Sequence, residues 1–257
     1  ILFVTSFNEK LYDFTGENLV KSFIFNNDDD DIDLLVCYED FNFNIKNNRV
    51  KTENVNTNFL KKILEENKDC IPLCYGGEAT IISNPELYCK DKKYNFQASR
   101  WFRKLAALEI AYTKFRNNYE YIVWIDSDCL FLSKFNSDLF LKPLQNKHLG
   151  YFYGPKRLMK DHGIETGLVI FNENAFYIIK DWYSLLKNKQ FKLVNRWDDG
   201  YLLKYLLIDL KYKNDNHIDF SQNLCRLNPM DYGPYTKIIK HLKGIHQNNN
   251  VVFTNKN

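Results

Sequence analysis

Tyr121-Ile122-Val123-Trp124-Ile125-Asp126-Ser127-Asp128-Cys129-Leu130-Phe131 is the stretch on which the rest of the chain turns. Its apolar, β-branched first half predicts a buried strand. Two carboxylates follow, one residue apart, before apolar residues resume. Burying one carboxylate is costly, and two close together raise each other's pKa. A pair at the mouth of a hydrophobic strand therefore calls for a cation. Carboxylate oxygens suit Mg²⁺ or Mn²⁺, ions commonly shared with the phosphates of a substrate. In an open α/β sheet, ligands bind beyond the carboxyl ends of the strands, which is where this pair falls. An ordinary alternative also fits the tripeptide: a strand ending in an Asx turn, with both Asp side chains accepting from backbone N–H groups.

Upstream, Ile1 to Phe7 predicts a buried strand, Asn8 to Lys10 a turn, and Glu17 to Phe25 a helix with Leu19, Val20, Phe23 and Ile24 on one face. Ile32 to Tyr38 predicts the next strand, so the first two strands form a parallel βαβ unit. The first strand-to-helix loop lacks Gly-x-Gly-x-x-Gly, which disfavours a dinucleotide fold of that type. Tyr12 in this loop either stacks on a base or packs beneath the loop. Phe41 to Asn58 is polar and reads as a surface excursion, Phe59 to Asn67 as a helix, and Cys70 to Tyr75 as a short strand or loop. Gln97 to Arg116 is the clearest helix, with Trp101, Leu105, Leu108, Tyr112 and Phe115 on one face. Arg100, Arg103 and Lys104 sit in its first turns, where basic residues oppose the macrodipole; they are either solvated or face an anion.

Downstream, Leu130 to Phe140 stays apolar, and Gly150 to Pro155 predicts a short strand and turn. A basic loop, Lys156 to His162, precedes a polar, Gly-flanked turn from His162 to Gly167. That turn leads into a strand ending at Asn172. Ala175 to Lys187 is an amphipathic helix with Phe176, Ile179, Trp182, Tyr183 and Leu186 inward. Trp197-Asp198-Asp199-Gly200 opens another helix, Tyr201 to Leu210; an N-cap role accounts for one of the two acids but not readily for both. His241-Leu242-Lys243-Gly244-Ile245-His246 offers two imidazoles and a glycine for a metal or a phosphate.

The chain has 257 residues, 45% of them hydrophobic, enough for one large α/β core or two closely joined half-domains. A net charge of +3 with scattered basic residues argues against a nucleic-acid partner. Asp28-Asp29-Asp30-Asp31 reads as a solvated turn, without the alternating ligands and Gly of a calcium loop. Six cysteines (37, 70, 74, 89, 129 and 225) form no Cys-x-x-Cys pair. Free thiols in a reducing, cytoplasmic compartment are expected, with a disulfide among Cys70, Cys74 and Cys89 left open. No apolar run reaches the length of a membrane span; a trimmed targeting or anchor segment is also left open.

In this order the pieces resemble the metal-dependent nucleotide-sugar glycosyltransferases of the GT-A fold, in particular the glycogenin and galactosyltransferase type (family eight) and its collagen-glycosyltransferase-like relatives. The resemblance implies an α/β fold with a central, mostly parallel sheet flanked by helices. It implies a single domain, 1–257, of two abutting Rossmann-like halves: 1–128 for the nucleotide and 129–257 for the acceptor. Val4-Thr5 with Tyr12, Gly16 and Ser22 resembles the unit that holds the base. Lys104, with Arg100 nearby, resembles the helix whose basic residue meets the diphosphate. Asp126 and Asp128 resemble the pair that binds Mn²⁺ and the ribose, and His241-x-x-Gly244 the segment whose His completes the metal site. Glu165-Thr166-Gly167 and Asp198-Asp199 resemble the acceptor-side turn and the acidic pair after it.

What the resemblance implies is therefore a hexosyltransferase that uses Mn²⁺ (or Mg²⁺) to move a sugar from a UDP-sugar donor to a hydroxyl on a glycan or protein acceptor. The expected metal ligands are Asp126, Asp128 and His241. Donor contacts would come from Thr5, Tyr12, Arg100, Lys104, Asp126, Lys243 and Gly244. Asp198, Asp199 and Glu165 are the candidates for a catalytic carboxylate. Retention is favoured over inversion, and a homodimer is left open. The chain departs from the family where Ile245-His246-Gln247 replaces Lys-Pro-Trp and where the acceptor turn lacks its usual Asn, which leaves donor sugar and acceptor open. Rival readings are a metal-dependent phosphotransferase or nucleotidyltransferase, and an inactive nucleotide-sugar-binding domain.

Overall fold

A computed structural model describes residues 1–39, 41–67, 98–154, 163–194, 196–221 and 229–242. Strands β1 (Leu2–Phe7), β2 (Asp33–Tyr38), β3 (Val50–Asn54), β4 (Tyr121–Ile125), β7 (Glu165–Asn172), β6 (Leu149–Phe152) and β8 (His217–Asp219) form one sheet in the order β3-β2-β1-β4-β7-β6-β8. β3, β2, β1 and β4 are mutually parallel, and β6 is parallel to β8. β7 alone runs against its neighbours β4 and β6. The expected mostly parallel sheet is therefore present. A separate two-stranded ladder joins β5 (Cys129–Phe131) to β9 (Ile239–His241).

The central strands are buried on both faces, as in helix-covered parallel sheets. In β1, Leu2 and Val4 enter one core while Phe3 and Phe7 enter the other. The first core is closed by α2 (Asn58–Glu66), α3 (Ala98–Phe115), α5 (Phe176–Lys187) and α6 (Asp199–Lys204). The second lies under α1 (Glu17–Asn26) and α4 (Ser137–Leu141), with β5 between. There Phe3 meets Phe23, Phe131, Phe135 and Phe140 edge-on, at centroid distances of 4.8 to 6.0 Å. Two buried polar side chains of α1 fasten β5: Phe131 N donates to Ser22 Oγ (3.1 Å), and Asn26 Nδ2 donates to Phe131 O (2.8 Å). This fixes the strand that leaves the acidic pair.

Three local expectations are corrected. The polar excursion of Phe41 to Asn58 contains β3, an edge strand in which only Val50 is buried, so its sequence carries no apolar alternation. The turn expected before the Val169 strand is strand already: β7 begins at Glu165, and Gly167 lies inside it. The helix expected over Tyr201 to Leu210 begins at Asp199 and changes after Lys204 to a wider π turn, Tyr205–Asp209. The predictions for Cys70 to Tyr75 and for the basic loop lie outside the described residues, as do Cys70, Cys74, Cys89 and Cys225; Cys37 and Cys129 are free, buried thiols. Among the described residues no helix is long and apolar enough to cross a membrane.

Candidate functional site

Asp126 follows β4 at the carboxyl edge of the parallel strands. Its N–H donates to Gly167 O (2.9 Å), carrying the ladder with β7 one residue past the strand. Trp124 points to the same side, two residues earlier, and its Nε1 donates to Asp126 Oδ1 (2.7 Å). Cys129 N donates to Asp126 O (3.1 Å), closing the turn that carries Asp128 into β5. β9 then sets His241 opposite Cys129, and Leu242 N donates to Asp128 O (2.9 Å). A late strand thus delivers an imidazole to the acids. Its Nε2 lies 3.1 Å from Asp128 Oδ1 and 3.9 Å from Asp126 Oδ2.

The imidazole's distance to each acid suits two donors on one ion, while the donor sets lying within 4.8 Å divide the acids: Asp128 with Cys129 and His241, and Asp126 with Glu165 and His241. A six-coordinate Mg²⁺-sized cation with bonds of about 2.1 Å sets adjacent donors about 3 Å apart and opposite donors about 4.2 Å apart. Glu165 adds a third carboxylate, with a donor atom within 4.8 Å of those of Asp126 and His241. Cys129 Sγ also lies near Asp128 and His241. Burial, then the charge of Asp128, holds its thiol well above the ordinary range, so it is not a ready thiolate donor. Space for the imidazole comes from Gly167: a Cβ there would stand 2.8 Å from His241 Cε1 and 2.6 Å from Met230 Sδ.

Lys104 closes the site from α3. Its side chain is 7% exposed, and its Nζ lies 2.8 Å from Asp126 Oδ1 and also pairs with Asp199. It donates to Thr166 O (3.1 Å) and Thr166 Oγ1 (3.0 Å), and Thr166 Oγ1 donates in turn to Asp199 Oδ2. Asp199 comes into reach because α6 starts against β7: Ile164 N donates to Gly200 O (2.9 Å), and a Cβ on Gly200 would meet Ile164 O at 2.2 Å. Asp198 is the N-cap, accepting from Tyr201 N (3.0 Å), and Arg196 Nε donates to its other oxygen (3.0 Å). The two acids of this pair thus have separate partners, one structural and one in the site.

Burial works against the charge on Lys104, but Asp126 and Asp199 outweigh it and hold the ammonium above its usual range. Burial raises Asp126 most, opposed by Lys104 and reinforced by Asp128. Burial is the largest influence on His241 and lowers it, but the hydrogen bond to Asp128 and the charges of Asp128, Glu165 and Asp126 together outweigh burial, with a net upward shift. Asp198 is pushed up, by burial first, against the pull of Arg196.

The structure brings together Asp126, Asp128, His241, Lys104, Glu165 and Asp199. Asp126 takes Trp124 and Lys104 rather than the backbone cap of an Asx turn. Arg103 pairs instead with Glu39 at the end of β2 (2.8 Å), and Arg100 is exposed, its guanidinium 5.6 Å from the Trp101 ring centroid. Thr5, expected to touch a donor, is fully buried. Tyr12 packs among Phe7, Phe41 and Phe43, with centroids 5.2 to 6.0 Å away. Lys243, Gly244 and His246 lie outside the described residues. Trp124 was given no site role in the sequence, and Thr166 was placed only in the acceptor-side turn, not beside Lys104. The two-residue spacing of Trp124 from Asp126 was a usable signal; nothing in the sequence pointed Thr166 at a lysine 62 residues away.

No protein-family model matches the chain, and neither does any curated protein. Among solved structures it is similar to the apo form of mouse xyloside xylosyltransferase 1, at 11% identity and a TM-score of 0.43, over 82% of this chain and 83% of that one. It is also similar to galactosyltransferase LgtC bound to donor and acceptor sugar analogs, at 14% identity and a TM-score of 0.45, over 80% of this chain and 70% of that one. A third is the glycosyltransferase GlyE of Streptococcus pneumoniae TIGR4, at 12% identity and a TM-score of 0.43, over 86% of this chain and 46% of that one. The likeness is one of backbone course alone, and what the site can do rests on the side chains described above.

Proposed function

We propose that this chain is a metal-dependent glycosyltransferase of the GT-A kind, moving a hexose or related sugar from a UDP-sugar to a hydroxyl acceptor with retention. One observation carries the reading: the Nε2 of His241, delivered by β9, reaches both Asp128 (3.1 Å) and Asp126 (3.9 Å) of the turn after β4, at the carboxyl edge of the parallel strands. Residues 1–128 would bind the nucleotide and 129–257 the acceptor.

Asp126, Asp128 and His241 would hold Mn²⁺ or Mg²⁺. Such an ion supplies charge neutralisation to a departing diphosphate. Lys104 keeps its proton at the metal end of the site and adds fixed positive charge there. The sugar's C1–O bond to the diphosphate breaks, a bond to the acceptor oxygen forms, and the acceptor's proton leaves on a diphosphate oxygen. Retention is supported by the engagement of both downstream acids: Asp198 caps a helix and meets Arg196, while Asp199 meets Lys104 and Thr166. An inverting reaction would need one such carboxylate to take the proton.

The test is UDP release from a panel of UDP-sugars with and without Mn²⁺. Release is expected only with the metal, and Asp128→Ala is expected to lower it by about 100-fold or more while leaving the circular dichroism unchanged. Equal release by that variant would remove the metal role. Transfer of phosphate or of a nucleotidyl group instead of sugar would replace the reading with the phosphotransferase one.

A further inference from the structure

We propose that Trp124 is a positioning residue that sets which cation the site accepts: with Lys104 it occupies one oxygen of Asp126, making that acid a one-oxygen ligand and favouring Mn²⁺ or Mg²⁺ over Ca²⁺. The inference rests on the metal-binding half of the function proposed above and deepens it. Trp124 Nε1 donates to Asp126 Oδ1 (2.7 Å), and Lys104 Nζ lies 2.8 Å from the same atom. A carboxylate oxygen offers two lone pairs, and these two donors take both. The other oxygen, Oδ2, is the one that faces the imidazole, 3.9 Å from His241 Nε2. A cation beside that imidazole therefore finds one oxygen of Asp126 and not the pair.

The hold on Oδ1 is firm because each donor is itself fixed. Trp124 is 2% exposed and lies in register between Val4 of β1 and Val169 of β7. Lys104 is tied to Thr166 and Asp199, and its Nζ stands 4.9 Å from the Trp124 ring centroid, so ammonium and indole support each other. Turning the carboxylate to present both oxygens would break both bonds. The chemistry follows from coordination geometry. Ca²⁺ gathers about six to eight oxygens and readily takes both from one carboxylate, whereas a small ion holds close to an octahedron that the narrow bite of a carboxylate fits poorly. A phenyl ring could fill much of the same apolar space, but only the indole brings an N–H to the acid.

Calorimetric titration with Mn²⁺ and with Ca²⁺, each with and without UDP, tests this through the ratio of the two affinities. Wild type is expected to favour Mn²⁺, and Trp124→Phe to shift the ratio towards Ca²⁺ by about tenfold. Lost packing alone would weaken both ions alike and leave the ratio where it was. If Trp124→Phe does not fold, replacement of Trp124 by 3-benzothienylalanine, whose sulfur stands in for the ring N–H at nearly the same size, gives the same comparison. A wild type that favours Ca²⁺, or an unchanged ratio in the folded variant, overturns the proposal while leaving a divalent ion in the site. Binding of neither ion overturns it together with the metal-dependent reading. Failure of the transferase reading alone looks different: the ratio shifts as expected, but no UDP is released from any donor.

Discussion

Lys104 stands between two acids, Asp126 and Asp199, and the arrangement survives only as a set. Its ammonium, carried on a side chain 7% exposed, is the shared counter-ion of both. Removing one partner of a buried ion pair leaves the others desolvated and uncompensated. Lys104→Met is therefore expected to lower unfolding free energy by about 3–5 kcal/mol, measured by urea titration. Adding Asp199→Asn should restore part of that loss, because one of the stranded charges is gone. A double variant no more stable than the single one would mean the pair is not coupled as described. The same lysine explains a partial success of reading the chain alone. Three basic residues crowd the start of α3, and their spacing cannot distinguish them; only burial separates Lys104 from Arg103, which fastens β2, and Arg100, which meets solvent.

Among the elements, β8 shows how an edge strand can carry a pH response. His217 begins it, and burial, then His148 and Lys213, push its pKa down from 6.5 to about 4. The unfolded chain takes up a proton near 6.5 while the folded chain resists until about 4, so stability falls as pH drops through that window. Carboxylates begin to titrate at its lower end, so the informative quantity is the difference between wild type and His217→Gln. Their urea midpoints should converge as pH falls from 7.5 to 4.5; a constant gap would assign the slope to other groups.

The same scale separates what the chain declared from what it hid. β1, β2, β4 and the later part of β7 are mostly apolar runs, because both of their faces meet buried cores, and each was legible. β3 was not, since an edge strand with one buried residue leaves no pattern. Nor was the start of β7: glycine in a polar segment reads as a turn, whereas here Gly167 clears space for a ring from β9. The acids and the late histidine could be picked out in sequence as candidates. Their meeting depends on a three-residue ladder between β5 and β9, which no local signal announces.

For the molecule as a whole, that ladder makes the proposed metal centre depend on the last described strand. Ending the chain after Ile238 is expected to abolish any rise in Tm with Mn²⁺ while the seven-stranded sheet, which does not include β9, still gives a cooperative transition. Loss of the transition itself would show that β9 is needed to fold and not only to bind. The ladder also sets an order in time. A nascent chain leaving the ribosome exposes Asp126 and Asp128 well before His241, a lag of roughly ten seconds at ordinary elongation rates. During that interval the carboxylates lack His241, so under the proposed function ion capture would be a closing event of biosynthesis, and a stalled product would lack the complete ligand set.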